Sequence, residues 1–425
     1  MHRLIMNNVG PIKHCDIKLD NYTVFTGAQA TGKSTIAKSI FFFRTIKNDI
    51  LEAMIKNNSI SENGMSLYKT AARLIRNKFL QIFGTSRALS NQLEMTYYYN
   101  DNTFIKISLK LNTGDDYVSP NYVYFDFSKD IDLFLRENNY KDISLTEEKN
   151  EIIRYLNNLF CDDCDTIFIP AGRSLITLLT TQLNYIFTIM DEEQKRLIDY
   201  CTQKYIERIL KIRPNFDNGI RGYFDNKRTT SIIPFDTDFV RKCMLLIDEI
   251  LKGKYLYVSG EERLVLENGK YIKINFTSSG QQESVWIFNI LMYQLINKTK
   301  TFIILEEPEA HLYPDAQKKI VELLSMFKSK NNELLITTHS PYVLGTINNL
   351  IYAGKIESVV NPKSLNNIID KAKRIVNCTA YNVSDGYITM CMASDNLIEN
   401  EVIDGASAEI NLEYDRLFDL LNGEM

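Results

Sequence analysis

The chain predicts an α/β fold in which buried strands carry polar side chains to one edge of a sheet, and three segments support that prediction. Tyr22–Thr26 is a short apolar strand that leads into a glycine-bracketed loop and then into an apolar helix over residues 36–44. Residues 301–312 contain an apolar strand that ends in two carboxylates, and residues 334–341 contain another that ends in Thr-Thr-His-Ser. Because the three strand ends carry complementary chemistry, we expect them to meet in one site.

The loop after the first strand has the pattern of a phosphate-binding loop. In such a loop the backbone N–H groups surround the phosphates, the lysine reaches the outer phosphates and the serine hydroxyl holds Mg²⁺. The following helix presents its N-terminus to the same anion. The segment therefore predicts a P-loop that binds a nucleotide, and a glycine-rich turn with a chance lysine is the alternative. Its residues are Gly27, Ala28, Gln29, Ala30, Thr31, Gly32, Lys33, Ser34 and Thr35.

The acidic strand predicts the chemistry of this site. Adjacent carboxylates at the end of a buried strand need a cation or a reactive group beside them, and in a P-loop enzyme these are Mg²⁺ and the attacking water. We assign Ser34 and Glu306 to the metal, and Glu307 either to the general base that accepts a proton from water or to the group that orients that water. Lys33 and His339 complete the catalytic set, with His339 beside the γ-phosphate. A hydrogen-bonded core histidine is the alternative for His339.

A fourth segment, residues 276–284, opens an apolar helix shortly before the acidic strand. It resembles the Leu-Ser-Gly-Gly-Gln signature of ABC-type ATPases, with Thr277 at the leucine position and Ser279 at the first glycine. In that family the motif contacts the γ-phosphate held by the P-loop of another protomer. The resemblance implies a head-to-tail homodimer, or a higher homo-oligomer, with ATP at its interface. It also places Ser278, Ser279 and Gly280 in the nucleotide site.

The wider resemblance is to RecF/SMC-like ABC-type ATPases of the OLD group and of prokaryotic anti-phage defence systems such as Septu and PARIS. It is carried by residues 4–12, 167–174, 306–314 and 338–341. It implies an ABC-type ATPase head with ATP and Mg²⁺ as cofactors. The chain departs from the family pattern at Glu306, where many relatives have Asp, and at Ala30, where glycine is commoner. No residue is assigned to a glutamine loop.

The remaining pattern predicts that a helical lobe is inserted into this head. Segments at 93–99, 103–111 and 120–127 predict an antiparallel hairpin or small sheet. An amphipathic helix is predicted within 191–212, and the absence of sustained heptads predicts a compact lobe rather than a long coiled coil. The predicted parts are an N-terminal part of the head with the P-loop (1–60), a β-rich and helical lobe (61–165), a helical insertion for dimerisation or partner docking (166–255), a C-terminal part of the head (256–360) and a C-terminal region with an acidic tail (361–425).

Composition limits the function classes. With 425 residues, 45% of them hydrophobic, the chain can bury a large core, and a net charge of −4 argues against a nucleic-acid binder with a wholly basic surface. Local basic clusters at 73–78 and 208–213 are either a DNA surface or solvated helix faces. The seven cysteines show no disulfide framework, which predicts the reducing cytoplasm. The pair Cys161 and Cys164 has no second pair, so no zinc site is predicted, and neither a membrane span nor a signal peptide is expected.

Three functions fit these observations. The favoured one is an ATP-hydrolysing sensor or scaffold of an anti-phage defence system that controls a separate effector, such as a nuclease or a toxin. A nucleic acid or a phage protein is its candidate trigger. The alternative is a RecF-like ATPase of DNA repair or chromosome maintenance, and a third is a binding module that uses ATP as structural glue. Because the residues after His339 contain no Asp-x-Asp pair, we do not expect a nuclease site in this chain. The acidic C-terminal segment is either a docking site for a basic partner or a solvated closing helix. His311 either contacts the partner protomer or has a structural role.

Overall fold

The structure is a computed structural model that describes residues 2–59, 66–84, 89–109, 123–137, 146–177, 189–191, 194, 198–231, 234–399, 403, 405 and 411–416. The strands of this part are β1 (Arg3–Val9), β2 (Ile12–Lys18), β3 (Tyr22–Thr26), β4 (Glu94–Tyr98), β5 (Phe104–Leu109), β6 (Val123–Phe127), β7 (Asp165–Ile169), β8 (Lys254–Val258), β9 (Glu261–Val265), β10 (Tyr271–Lys273), β11 (Thr301–Glu306), β12 (Glu333–Thr337), β13 (Thr379–Ser384) and β14 (Tyr387–Met390).

The α-helices are α1 (Lys33–Arg44), α2 (Ile46–Ser59), α3 (Leu67–Phe83), α4 (Lys129–Glu137), α5 (Thr146–Leu159), α6 (Tyr200–Ile212), α7 (Gly219–Thr230), α8 (Thr237–Leu251), α9 (Ser279–Asn297), α10 (Pro314–Ser329), α11 (Pro341–Lys355) and α12 (Pro362–Ile368). Residues 173–177 are helical as well. Short 3₁₀ turns lie at Arg213–Phe216, Ile274–Phe276, Ile356–Ser358 and Lys371–Lys373.

Among the described residues, an eleven-stranded mixed sheet organises the molecule, with the strand order β6-β5-β4-β1-β2-β14-β13-β3-β12-β11-β7. From β13 to β7 every neighbouring pair is parallel. The carboxyl ends of these strands therefore lie at one edge, which is where the sequence placed its polar strand ends. This architecture confirms the predicted α/β class and the P-loop nucleotide-hydrolase fold.

The middle strands are nearly continuous apolar runs because both faces of the sheet are covered. Successive residues of a strand point to opposite faces, so Val24 and Ile303 lie in one hydrophobic core while Phe25 and Ile304 lie in the other. The predicted strands at 22–26, 301–306 and 334–337 are confirmed, and so is the helix that follows the loop.

The predicted β-rich segment between the loop and the signature is antiparallel, as expected. Its strands β4, β5 and β6 pair with one another and, through β4, with β1. They therefore continue the large sheet and do not form a small sheet of their own.

In the described residues, α6, α7 and α8 form the helical region that follows β7. None of these three helices has the length of a long coiled coil. The predicted amphipathic helix is confirmed as α6, whose buried residues Cys201, Tyr205, Ile209 and Ile212 follow the expected spacing. These helices share a core with the central strands. The predicted boundary at 165/166 falls inside β7, which pairs with β11. The division of the chain into parts stays a prediction.

The C-terminal region contributes directly to the central sheet. The hairpin of β13 and β14 lies between β2 and β3, with β13 parallel to β3 and β14 parallel to β2. The predicted acidic tail lies largely outside the described residues, so its two alternatives stay open.

The basic clusters do not form continuous surfaces. Lys78 is buried against Asp49, and Arg213 is buried over the ring of Tyr257. Arg73 and Lys211 are exposed, so only part of each cluster is available to a polyanion.

No helix among the described residues has both the length and the apolar character needed to cross a membrane. The described part of the chain also holds no cluster of three or more His, Cys, Asp or Glu residues suited to a metal.

Candidate functional site

The phosphate loop joins β3 to α1, and both of its glycines are required by their surroundings. Gly27 has φ 130° and Gly32 has φ 109°, in the left-handed region that favours glycine. A Cβ on Gly27 would lie 2.3 Å from the carbonyl oxygen of Val383, and one on Gly32 would lie 2.4 Å from Ile12. Ala30 also has a left-handed φ of 62°, a conformation that glycine adopts more readily than a residue with a side chain.

Lys33 is the first residue of α1, and its ammonium group lies back over the loop. Its Nζ donates to the carbonyl oxygens of Gly27 at 2.9 Å and Ala28 at 2.7 Å. It also lies 3.4 Å from Nδ1 of His339. Burial lowers the pKa of Lys33, and the negative charges of Glu307 and Glu309 partly oppose that shift. Ser34 follows at the exposed start of the helix.

Glu306 is the last residue of β11, and its side chain is buried. Its Oε2 accepts a hydrogen bond from the backbone N–H of Ala171 at 3.1 Å. Its Oε1 is buried and has no hydrogen-bond partner among the described residues. An unpaired carboxylate oxygen at the edge of a phosphate loop suits a hard divalent cation.

Glu307 and His339 form the link between the acidic strand and the phosphate loop. His339 Nε2 lies 3.2 Å from Glu307 Oε1, and its Nδ1 lies 2.9 Å from the Gly27 carbonyl oxygen. Both side chains are about one-third exposed, so they are accessible to water and to a ligand. The structure therefore brings Lys33, Glu307 and His339 together, as the sequence predicted.

Glu309 supports this link, and sequence reasoning did not assign it a role. Its Oε1 accepts hydrogen bonds from Thr338 Oγ1 at 2.6 Å and from the His339 backbone N–H at 2.9 Å. The side chain is buried. The signal was present in the sequence as a third acid in Glu-Glu-Pro-Glu, two residues after Glu307.

The signature segment lies beside the acidic loop. Ser278 caps α9, and its backbone N–H donates to Gln281 Oε1 at 3.0 Å. A Cβ on Gly280 would lie 2.6 Å from the carbonyl oxygen of His311, so the two backbones are in close contact. Ser278 and Ser279 are exposed. Within the described part of the chain, no hydrogen bond joins Ser278, Ser279 or Gly280 to the phosphate loop of the same chain.

Arg173 is a further residue that the sequence did not assign to the site. It lies after β7 in the Ile-Pro-Ala-Gly-Arg-Ser element, is fully buried and donates to the backbone carbonyls of Glu306 and Glu307. Its carboxylate partner is Glu283, on the signature helix. The element had been noted only as part of a family resemblance.

A phosphate loop on a central parallel sheet, with an acidic strand and a histidine at the same edge, defines a P-loop nucleoside triphosphatase. The chain belongs to the AAA ATPase domain family, whose sequence profile matches residues 1–344. It is therefore an ATP-hydrolysing enzyme, and the family confirms the predicted nucleotide binding.

Three of the solved structures that match the chain are SMC heads. An Smc head bound to the C-winged helix domain of ScpA has 11% identity over 91% of this chain and 95% of that chain, with a TM-score of 0.40. An Smc head domain with an extended coiled coil, bound to the C-terminal domain of ScpA derived from Pyrococcus furiosus, has 12% identity over 97% and 100% of the two chains, with a TM-score of 0.39. The SMC head domain from Thermotoga maritima has 11% identity over 91% and 97%, with a TM-score of 0.37. No curated protein matches the chain.

Proposed function

We propose that the chain hydrolyses ATP at the edge formed by the phosphate loop, Glu306, Glu307 and His339. The loop amides and Lys33 bind the β- and γ-phosphates. Ser34 and Glu306 would hold Mg²⁺, and the ion would neutralise charge on the phosphate oxygens. Glu307 accepts the proton of the attacking water, and His339 orients that water.

The observation that carries this proposal is the connection from Glu307 through His339 to the loop. His339 lies within 3.4 Å of Lys33 Nζ, 2.9 Å of Gly27 O and 3.2 Å of Glu307 Oε1. These contacts support a single site that contains the proposed base, the proposed water-orienting group and the proposed phosphate-binding cation. The buried, unpaired Oε1 of Glu306 supports a cation beside them.

The proposal includes a head-to-tail dimer, and the position of the signature supports it. Ser278 and Ser279 are exposed beside the acidic loop, so they are free to contact ATP held by a second copy. Two large aromatic side chains near these segments along the chain are exposed: Phe276, four residues before Gly280, is 75% exposed, and Tyr313, two residues after His311, is 79% exposed. Exposed aromatic residues of this kind favour an interface.

The biological role proposed for this ATPase is that of a cytoplasmic sensor or scaffold in prokaryotic anti-phage defence. ATP closes the dimer, hydrolysis opens it, and the cycle restrains or releases a separate effector such as a nuclease or a toxin. The support is the resemblance of residues 306–314 and 338–341 to the RecF/SMC-like group. The described cysteines are all free thiols, which suits a reducing compartment.

The catalytic part of the proposal is tested with Glu307→Gln and Lys33→Ala. We expect Glu307→Gln to lower kcat on the order of 10³-fold while ATP binding persists, because only the general base is removed. Lys33→Ala should weaken ATP binding on the order of 10²-fold, since a buried charge-assisted contact is lost. Lys38→Ala is the matched control, because Lys38 lies on the same helix but pairs with Asp199. Wild-type hydrolysis by Glu307→Gln would overturn the assignment.

The assembly part is tested by copurifying tagged wild type and Glu307→Gln with the products of neighbouring genes, followed by mass determination with and without ATP. A stoichiometric second protein supports the sensor–effector role. A homodimer that gathers DNA instead favours the RecF-like repair function. A mass that does not change with ATP contradicts the ATP-bridged dimer.

A further inference from the structure

Arg173 is the most deeply buried charged group near the acidic strand. Its side chain has 0% exposure, and its carboxylate partner Glu283 has 2%. We propose that Arg173 is a positioning residue that holds the backbone of Glu306 and Glu307 and is anchored by Glu283 to the signature helix. This inference rests on the proposed roles of the two acids.

The guanidinium group contacts the backbone of the acidic strand directly. Nη1 donates to the carbonyl oxygens of Pro170 at 2.6 Å and Glu306 at 2.7 Å, and Nη2 donates to that of Glu307 at 2.9 Å. These donors point at carbonyl oxygens on two successive residues of one strand end. Arg173 therefore acts on the acids through their main chain and makes no described contact with their carboxylates.

Glu283 fixes Arg173 from the other side. Its Oε2 accepts from the Arg173 backbone N–H at 3.0 Å and lies 3.2 Å from Nε, while its Oε1 accepts from the Ser174 backbone N–H at 2.9 Å. Nε also donates to the Glu283 carbonyl oxygen at 3.0 Å. Both carboxylate oxygens are used, so the loop after β7 is tied to the first turns of α9.

The conformation of Glu307 explains why such a clamp is needed. Glu307 has φ 43°, in the left-handed region that is costly for a residue with a side chain. Its N–H donates to the Thr337 carbonyl at 2.9 Å, and its own carbonyl accepts from Arg173. A strained residue that carries the proposed base is thus held at both of its peptide groups.

Only arginine satisfies this arrangement. Its planar group offers five N–H donors in a rigid fork, whereas lysine offers a single point charge. Burying an ion pair costs desolvation and is seldom the most stable choice for a core. We therefore infer that the Arg173–Glu283 pair positions the backbone of Glu306 and Glu307 and does not serve stability alone.

The link has a consequence for the proposed dimer. Glu283 lies three residues after Gly280, at the start of the helix whose exposed N-terminal end is proposed to contact the ATP of a second copy. A shift of that helix end moves Arg173, and with it the carbonyls of Glu306 and Glu307. Engagement of the signature at one ATP is thereby transmitted to the acids that act on the other ATP.

The test compares Arg173→Lys and the isosteric Glu283→Gln with a matched buried pair. We expect kcat to fall roughly 10- to 100-fold in both variants, because small misplacement of a catalytic group has effects of this size. The Kd for ATP should stay within about 2-fold, since neither residue contacts the phosphate loop. Arg44→Lys is the control: Arg44 is equally buried and pairs with Asp162, but it lies at the far end of α1. It should lose stability and keep kcat.

A double-mutant cycle separates positioning from a structural role. If Arg173 acts through the two acids, then adding Arg173→Lys to the combined Glu306→Gln and Glu307→Gln variant should lower kcat no further than that variant alone. Losses that multiply would overturn the inference, and so would an unchanged kcat in folded Arg173→Lys and Glu283→Gln. The proposed function fails separately, by normal hydrolysis in Glu307→Gln itself.

Discussion

Two buried arginine–carboxylate pairs lie at opposite ends of the parallel strands. Arg173 and Glu283 are beside the carboxyl end of β11, whereas Arg44 and Asp162 are near the start of β7 and β12. All four side chains are almost fully buried. The pairs thus share composition and burial but differ in what the guanidinium group contacts.

Arg44 is directed at carboxylates. Its Nε and Nη2 donate to the two oxygens of Asp162 at 3.0 and 2.8 Å, and Nη1 donates to Glu333 at 2.7 Å. Arg173 instead donates to the backbone carbonyl oxygens of Glu306 and Glu307, the two acids of the proposed site. Burial alone therefore does not distinguish an ion pair that stabilises the fold from one that positions site residues. The groups that the guanidinium contacts make that distinction.

The largest effect expected away from the site is that of Arg44→Met. It leaves Asp162 buried without its cation, and breaking a buried pair typically costs about 3 kcal/mol or more of the free energy of unfolding. The measurement is denaturant unfolding together with kcat per folded molecule. An unchanged kcat in Arg44→Met would support different roles for Arg44 and Arg173. A fall in kcat with normal ATP binding would contradict that difference.

The Arg44–Asp162 pair also predicts that the free energy of unfolding depends on pH in the acidic range. Burial by itself raises the pKa of Asp162, but the charge and hydrogen bonds of Arg44 outweigh burial and lower it from 3.8 to about 2. A carboxyl with a lowered folded-state pKa contributes stability above its unfolded pKa. That contribution is lost as the pH falls from about 4 to about 2, and it amounts to about 2 kcal/mol.

The acid effect is measured as the free energy of unfolding between about pH 5 and about pH 1.5, a range that covers the whole window in which the Asp162 contribution is lost. Asp162→Asn should flatten the curve in that range, whereas Glu283→Gln should leave the Asp162 contribution in place. Equal slopes for wild type and Asp162→Asn would contradict the assignment of this carboxyl.

The smallest effect concerns the contact between the signature and the acidic loop. In Gly280→Ala the new Cβ would lie 2.6 Å from the His311 carbonyl oxygen, so one backbone must move. We expect about a 10-fold lower kcat, equivalent to about 1.4 kcal/mol. Gly345→Ala is the control, because nothing lies within 4 Å of that position on α11. Equal kcat in the two variants would show that the contact does not affect hydrolysis.

Local pattern was sufficient for the elements that carry the site. The apolar runs at Tyr22–Thr26 and Thr301–Glu306, the glycines of the loop and the helix that begins at Lys33 were all predictable. Strand period, turn chemistry and helix-terminus anion binding act over a few neighbouring residues, so a single sequence reveals them. The pairing of Lys33, Glu307 and His339 was predictable because parallel strands end at a common edge.

Other features depended on contacts between distant residues. The sequence named the β-rich strands but not their place in the large sheet, and it did not place the hairpin of β13 and β14 beside β3. It contained Arg173 and Glu283 without a local reason to join them to the site. Arg173 and Glu283 are 110 residues apart along the chain.

The sequence by itself therefore determined the phosphate loop, the acidic strand, the histidine and the α/β class, because each rests on short-range periodicity and backbone chemistry. Only the tertiary structure decided which buried charges support the catalytic acids and that the signature lies against the acidic loop. Those contacts arise from the packing of α9 and the loop after β7 against β11, and no periodicity along the chain encodes them.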